Sequence, residues 1–181
     1  MHVDYWDYIG WADPFASPQM TQRQRDYASH LDLPYVYTPQ MVIGGRRNAV
    51  GSRRDEVRAA IDETKAEGKG LRIDYIEDDG DKIVIPAGES PEGGATVWMV
   101  AYDDQHETAV ERGENSGRNL KNRNVVRELV EIGQWTGERL EIPVDMDEMA
   151  ALGRSGCAVL VQQDRTGPIL GAAAWPLTDH H

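Results

Sequence analysis

The chain has 181 residues and a formal net charge of −12, from 19 basic and 31 acidic side chains. A surface of that sign repels phosphate, which argues against nucleic acid and anionic membranes as partners. Apolar residues make up 40% of the chain and no run reaches the length of a membrane span, so a water-soluble globular protein without a membrane span is expected.

The charge is uneven: residues 1–70 carry 9 basic and 10 acidic side chains, residues 71–181 carry 10 and 21. His2, Asp4 and Asp7 interrupt any apolar secretory leader at the start. Residues 2–6, His-Val-Asp-Tyr-Trp, read as the tail of a buried strand, with Met1 where its earlier part is expected. Ser17-Pro18 offers a helix N-cap followed by proline at the first helical position; Thr21 with Gln24 is an alternative capping box. Met20, Tyr27 and Leu31 share a helical face, and Pro34 stops the helix. Val36 and Met41–Ile43 read as strand on either side of Thr38-Pro39, a candidate cis proline because X–Pro is where cis costs little. Gly44-Gly45 turns the chain into a short strand at Arg47–Val50. A second helix starts around Ser52-Arg53-Arg54-Asp55, carries Val57, Ala60, Ile61 and Thr64 at helical spacing, and ends at Gly68 and Gly70.

Beyond Gly70 the period changes to two. Leu71, Ile73 and Tyr75 alternate with polar residues, and Asp79-Gly80 signals a hairpin into Ile83–Ile85. Thr96–Tyr102 reads as a strand, with His106–Arg112 pairing back on it. Residues 124–132 suit a helix or a strand face equally. Gly133–Gly137 reads as a turn, and Leu140–Val144, Cys157–Gln162 and Ile169–Trp175 as three further strands. Short strands punctuated by Gly and Pro suggest a sandwich. The boundary falls near Gly68–Gly70.

His2–Trp11, Asp13–Ser17, Tyr37-Thr38-Pro39-Gln40 and Gly51-Ser52 resemble blocks of a bacterial, mostly secreted, thioredoxin-like family catalogued as domain of unknown function 1223. Arg112–Arg118, Asn124–Arg127 and Thr166–Ala172 continue the likeness into the second half. The resemblance implies an α+β chain. Residues 1–68 would be the C-terminal part of a thioredoxin-like α/β domain, and residues 71–176 a small β-sandwich-like domain. It also favours the strand reading of 124–132. Relatives of this kind carry a first strand, a Cys-x-x-Cys segment opening a first helix, and a signal sequence. This sequence has none of these and is expected to be N-terminally truncated. By resemblance its location is periplasmic or secreted.

Three groups of residues are candidates for chemistry. Thr38 and Pro39 form a substrate-docking edge in the thioredoxin-like reading, able to pair with an extended peptide; otherwise they are a tight turn. Asp4, Tyr5, Trp6, Asp7, Tyr8 and Trp11 form an aromatic–acidic cluster that would reach a ligand crevice or else pack as a corner. Within it Asp4 could move protons for a nearby thiol, Trp6 stands beside it, and His2 with Asp4 is a weak metal pair. Arg112, Glu114, Asn115 and Arg118, with Asn124 and Arg127, would clamp an anion or pin a hairpin. The acidic blocks 77–81 and 145–148 lack calcium-loop spacing and read as a hairpin tip and a solvated loop. No cofactor motif or metal set is present. Cys157, the one cysteine, reads as an inert core residue.

The expected function is therefore that of an uncharacterised thioredoxin-like protein. Relatives with a cysteine pair would be extracytoplasmic thiol–disulfide oxidoreductases, and this chain, without the pair, would be inactive. The alternative is a non-catalytic module docking proteins at the proline edge. A third reading is small-molecule binding between Asp4 and the arginine loop. Expected partners are a protein or peptide client and a second copy of the chain, through an apolar edge left by the missing strand.

Overall fold

The computed structural model describes residues 1–6, 13–68, 70–77, 80–109 and 119–177. It is a mixed α and β protein with three antiparallel sheets. The first helix, α1 (Pro18–His30), starts as its sequence dictates: Ser17 Oγ accepts from the Met20 amide and Pro18 occupies the first turn. A hairpin of β1 (Gln40–Ile43) and β2 (Arg47–Val50) follows, covered on one face by α2 (Arg54–Ala66) through Ile43, Ala49 and Ala60. The helix α2 opens at Arg53 without a side-chain cap, so Ser52 does not serve there.

The second half is strand-rich. β3 (Asp74–Ile76), β4 (Lys82–Ile85) and β7 (Leu140–Pro143) form one sheet in the order β3-β4-β7. β5 (Ala95–Ala109), β6 (Asn119–Trp135), β8 (Gly156–Gln163) and β9 (Ile169–Pro176) form another, in the order β6-β5-β8-β9. Alternation along β5 and β8 decides what each face meets. Val97, Met99, Cys157, Val159 and Val161 join Ile83 and Ile85 of the smaller sheet in the main core, closed by the fully buried Trp135. Trp98, Val100, Ala158 and Leu160 point the other way and pack with Met20 of α1. The four-stranded sheet thus has the small sheet on one side and α1 on the other.

One main-chain bond stitches the first hairpin to the last strand, from the Ile169 amide to the Gly44 carbonyl at 2.9 Å, and beside it the Leu71 amide, just past the boundary, donates to the Leu170 carbonyl at 2.6 Å.

Several expectations need correction. Residues 2–6 are not a strand; His2 makes a single parallel bridge to Ala16. Val36 lies outside any strand. His106 does not begin a returning strand, because β5 runs on through it and β6 supplies the partner from Asn119 to Trp135. Gly133–Trp135 therefore belong to β6, and the turn comes after them. Asp145–Glu148 is no solvated loop: Asp145 caps α3 (Met146–Ala151), accepting from the Glu148 amide at 2.7 Å.

Candidate functional site

Helix α1 fixes the proline segment. Gln24 donates to the Tyr37 carbonyl at 2.7 Å and to Gln40 Oε1 at 2.9 Å, and accepts from the Tyr5 hydroxyl at 2.8 Å. Tyr37 donates to Asn48 Oδ1 on β2 at 2.6 Å. The Thr38–Pro39 peptide bond is cis. The Thr38 hydroxyl accepts from the Trp6 indole at 3.1 Å, and the Gly51 amide donates to the Pro39 carbonyl at 2.8 Å.

These groups border a cavity of about 630 Å³ between α1, β1 and the start of the chain. Met20, Tyr27 and Leu160 give it an apolar floor. Its rim carries Trp6 and Met41, 47% and 43% exposed. Of the six large apolar side chains left exposed among the described residues, three (Met1, Trp6 and Met41) line this one cavity. Such clustering marks an interaction site better than scattered exposure does.

Of the sequence candidates, Thr38, Pro39 and Trp6 come together here. Asp4 does not: its Oδ1 accepts from the Thr21 hydroxyl at 2.5 Å and its amide donates to Thr21 Oγ1, which ties the chain start to α1. His2 sits against Asp13, Nδ1 to Oδ2 at 2.5 Å, rather than beside Asp4 in a metal pair. Among the described residues no three His, Cys, Asp or Glu side chains gather in a metal-holding group. Arg112, Glu114, Asn115 and Arg118 lie outside the described residues. Arg127, from the same group, donates to Asp103 at 3.1 Å and stacks over Phe15, so it is engaged away from this cavity.

The sequence reading missed Arg23. It is 6% exposed, lines the cavity, and forms no ion pair among the described residues. Its guanidinium donates to Gln162 Oε1 at 2.6 Å, to the Tyr27 hydroxyl at 3.3 Å and to the Arg165 carbonyl at 3.1 Å. It also lies 5.2 and 5.0 Å from the Tyr27 and Trp98 ring centroids. Its Nε has no hydrogen-bond partner. Burial pushes it below the usual guanidinium range. The signal was there in the spacing: Arg23 stands three residues after Met20 and four before Tyr27, on their face of the helix.

Cys157 faces the core across the sheet from the cavity, with its thiol 3.5 Å from Met146 Sδ. Burial pushes its pKa up to about 11. In the native protein it should not react with Ellman's reagent at pH 8 and should react fully in guanidinium. An unfolded thiol ionises near 9.0, so the unfolded state gains first as pH rises. Stability from this group is whole below pH 9 and falls between pH 9 and 11, which denaturant titrations at stepped pH will read.

The architecture defines a mixed α and β protein of three sheets with a rimmed, largely apolar cavity beside its first hairpin. The chain belongs to the family described as protein of unknown function DUF1223, whose profile matches residues 1–162. Its structure is similar to the crystal structure of a protein from Agrobacterium tumefaciens, a structural-genomics target. The TM-score is 0.82 at 26% sequence identity, and the match covers 99% of this chain and 80% of that one. No curated protein matches the chain.

Proposed function

We propose that this protein is a peptide-docking module on a thioredoxin-like scaffold, with Thr38 and Pro39 at the docking edge and the apolar cavity as its receptor. The supporting observation is the cavity itself, bordered by Thr38 and Pro39 and rimmed by exposed Trp6 and Met41. In this reading residues 1–68 are the thioredoxin-like part and residues 71–176 the sandwich-like part. The protein works outside the cytoplasm, as the resemblance implies. Relatives with a cysteine pair would use the same edge to present a client disulfide to an attacking thiolate.

The present chain offers only Cys157, on the far face of the sheet. It docks without exchanging disulfides, and reduction of insulin by glutathione should run no faster in its presence. Peptide binding is read by calorimetric titration. Met41→Glu places a carboxylate on the apolar rim at an already exposed position. It should weaken binding of an apolar extended peptide at least tenfold while leaving the melting temperature within about 2 °C, since surface substitutions seldom exceed ~0.5 kcal/mol. Unchanged affinity would remove the cavity from the docking reading.

A further inference from the structure

A second recess, about 240 Å³ in volume, opens where β3, α3 and the end of β9 meet, and it shares no lining residue with the cavity at the first hairpin. Tyr75 comes from β3, and Glu77 follows it by two positions, so alternation turns both to the same side. β9 supplies Trp175, whose ring centroid lies 5.8 Å from that of Tyr75 with the planes at 53°. Met146, at the start of α3, is buried beside them with its sulfur 3.5 Å from the Cys157 thiol. Tyr75, Met146 and Trp175 all pack on the main core, which sets these walls in place before any ligand arrives. Glu77 and Asp147 are exposed at the rim.

Every charge on these walls is negative. The lining holds two carboxylates and no lysine, arginine or histidine. Glu77, Asp147 and the nearby Asp81 enter no ion pair among the described residues. Their field reaches Tyr75: burial first, then Asp81, Glu77 and Asp147, pushes its hydroxyl up to about 12. Acidic side chains alone would simply be solvated. Here they flank two aromatic rings and a thioether, and an aromatic face attracts a cation that has shed part of its water. A hard divalent ion is poorly served, because it needs about six oxygens and no three metal-holding side chains gather among the described residues. An organic cation, with a carbon shell around its charge, suits both kinds of wall.

We infer that this recess binds an organic ammonium ion, its charge facing Glu77 and Asp147 and its carbon shell lying against Tyr75, Met146 and Trp175. Two sources carry that chemistry, a free amine and the lysine side chain of a protein. Residues 71–181 hold 10 basic and 21 acidic side chains, and a field of that sign draws either one in.

The test follows the Trp175 indole N–H signal of the full chain by NMR, assigned through Trp175→Phe, at fixed ionic strength. The probes are choline, Nα-acetyl-lysine methylamide, and the neutral isostere of choline in which a tert-butyl group replaces trimethylammonium. Both ammonium probes should move the signal saturably, and the neutral isostere should bind about fivefold more weakly than choline. Glu77→Gln combined with Asp147→Asn should weaken the ammonium probes by a similar factor. Glu89→Gln combined with Glu92→Gln, an equal loss of exposed charge elsewhere in the same half, should change affinity less than twofold. If the first pair is too unstable to assay, choline against its isostere decides alone. Tighter binding of choline assigns the recess to a free amine, and tighter binding of the lysine probe assigns it to a protein side chain. Equal affinity for choline and its isostere overturns the inference, as does equal weakening by the two pairs of substitutions. Absence of a saturable shift with either ammonium probe also overturns it. None of these results bears on docking at Thr38 and Pro39.

Discussion

Replacing Gln162 with leucine should cost about 4 kcal/mol and lower the melting temperature by roughly 12 °C. Gln162 is fully buried between α1 and the last strands. Its Oε1 accepts from Arg23, and its Nε2 donates to the Tyr27 hydroxyl and the Gly167 carbonyl, both at 2.8 Å. Leucine nearly fills the same volume, so little of the loss comes from a void. The cost is that of three stranded partners, one of them a guanidinium that forms no ion pair among the described residues. Hydrogen bonds to charged groups contribute about 1.5–3 kcal/mol, and each buried group left unmade adds ~1–3 kcal/mol. Arg23→Met in the same background should restore part of the loss, because removing the cation removes the demand for an acceptor. A double-mutant cycle by urea denaturation should give a coupling of about 1–3 kcal/mol. If the single variant unfolds within 1 kcal/mol of the parent, Arg23 is not held as described.

Gly45→Ala should be nearly as damaging, at about 3 kcal/mol. Gly45 has φ +69°, and a methyl group there would stand 2.1 Å from the Gly167 carbonyl oxygen and 3.1 Å from the Ile169 amide. That oxygen is main chain and cannot swing aside. Relief means moving the β1–β2 turn off β9 and losing the bond from Ile169 to Gly44. Gly153→Ala is the matched control. Its φ is +75° and nothing lies within 4 Å of the added carbon, so it reports the left-handed backbone penalty alone, roughly 1 kcal/mol. Equal losses at the two sites would mean that the contact with Gly167 is unimportant.

Local grammar was readable where chain neighbours decide structure. Ser17-Pro18 announced α1, and short apolar runs between Gly and Pro announced the strands at Thr96–Tyr102, Cys157–Gln162 and Ile169–Trp175. The stretch around 124–132 resisted for a physical reason. The β5–β6 ladder slips register between Val97 and Trp98 and again between Ala101 and Tyr102, and Asn124 takes φ +49°. Each slip resets which residues face inward. The buried Val125 and Leu129 lie on either side of the second slip, opposite Asp103 and Val100, and their spacing of four is common to a helix and a strand face. Resemblance, not periodicity, favoured the strand. In the same way Asp145–Glu148 looked like solvated charge, although its first carboxylate was a cap.

The cavity was half legible. Thr38-Pro39 drew notice as a dipeptide, and Trp6 through its aromatic neighbours. Arg23 did not, because Gln162 and Arg165 lie 139 and 142 positions away in sequence. Its place on the face of Met20 and Tyr27 pointed inward, but no local pattern names the acceptors that hold a buried arginine.

The junction between the first hairpin and the last strand has a consequence for divergence. There Gly44 meets Ile169, and beside it Leu71, where the second half begins, meets Leu170, all through amide and carbonyl atoms, which every residue except proline supplies. Substitutions can accumulate on both flanks without loosening the joint, provided the positions of Gly45, Gly70 and Gly171 stay bare. A lineage built this way can exchange most of its surface alphabet while its halves stay in register.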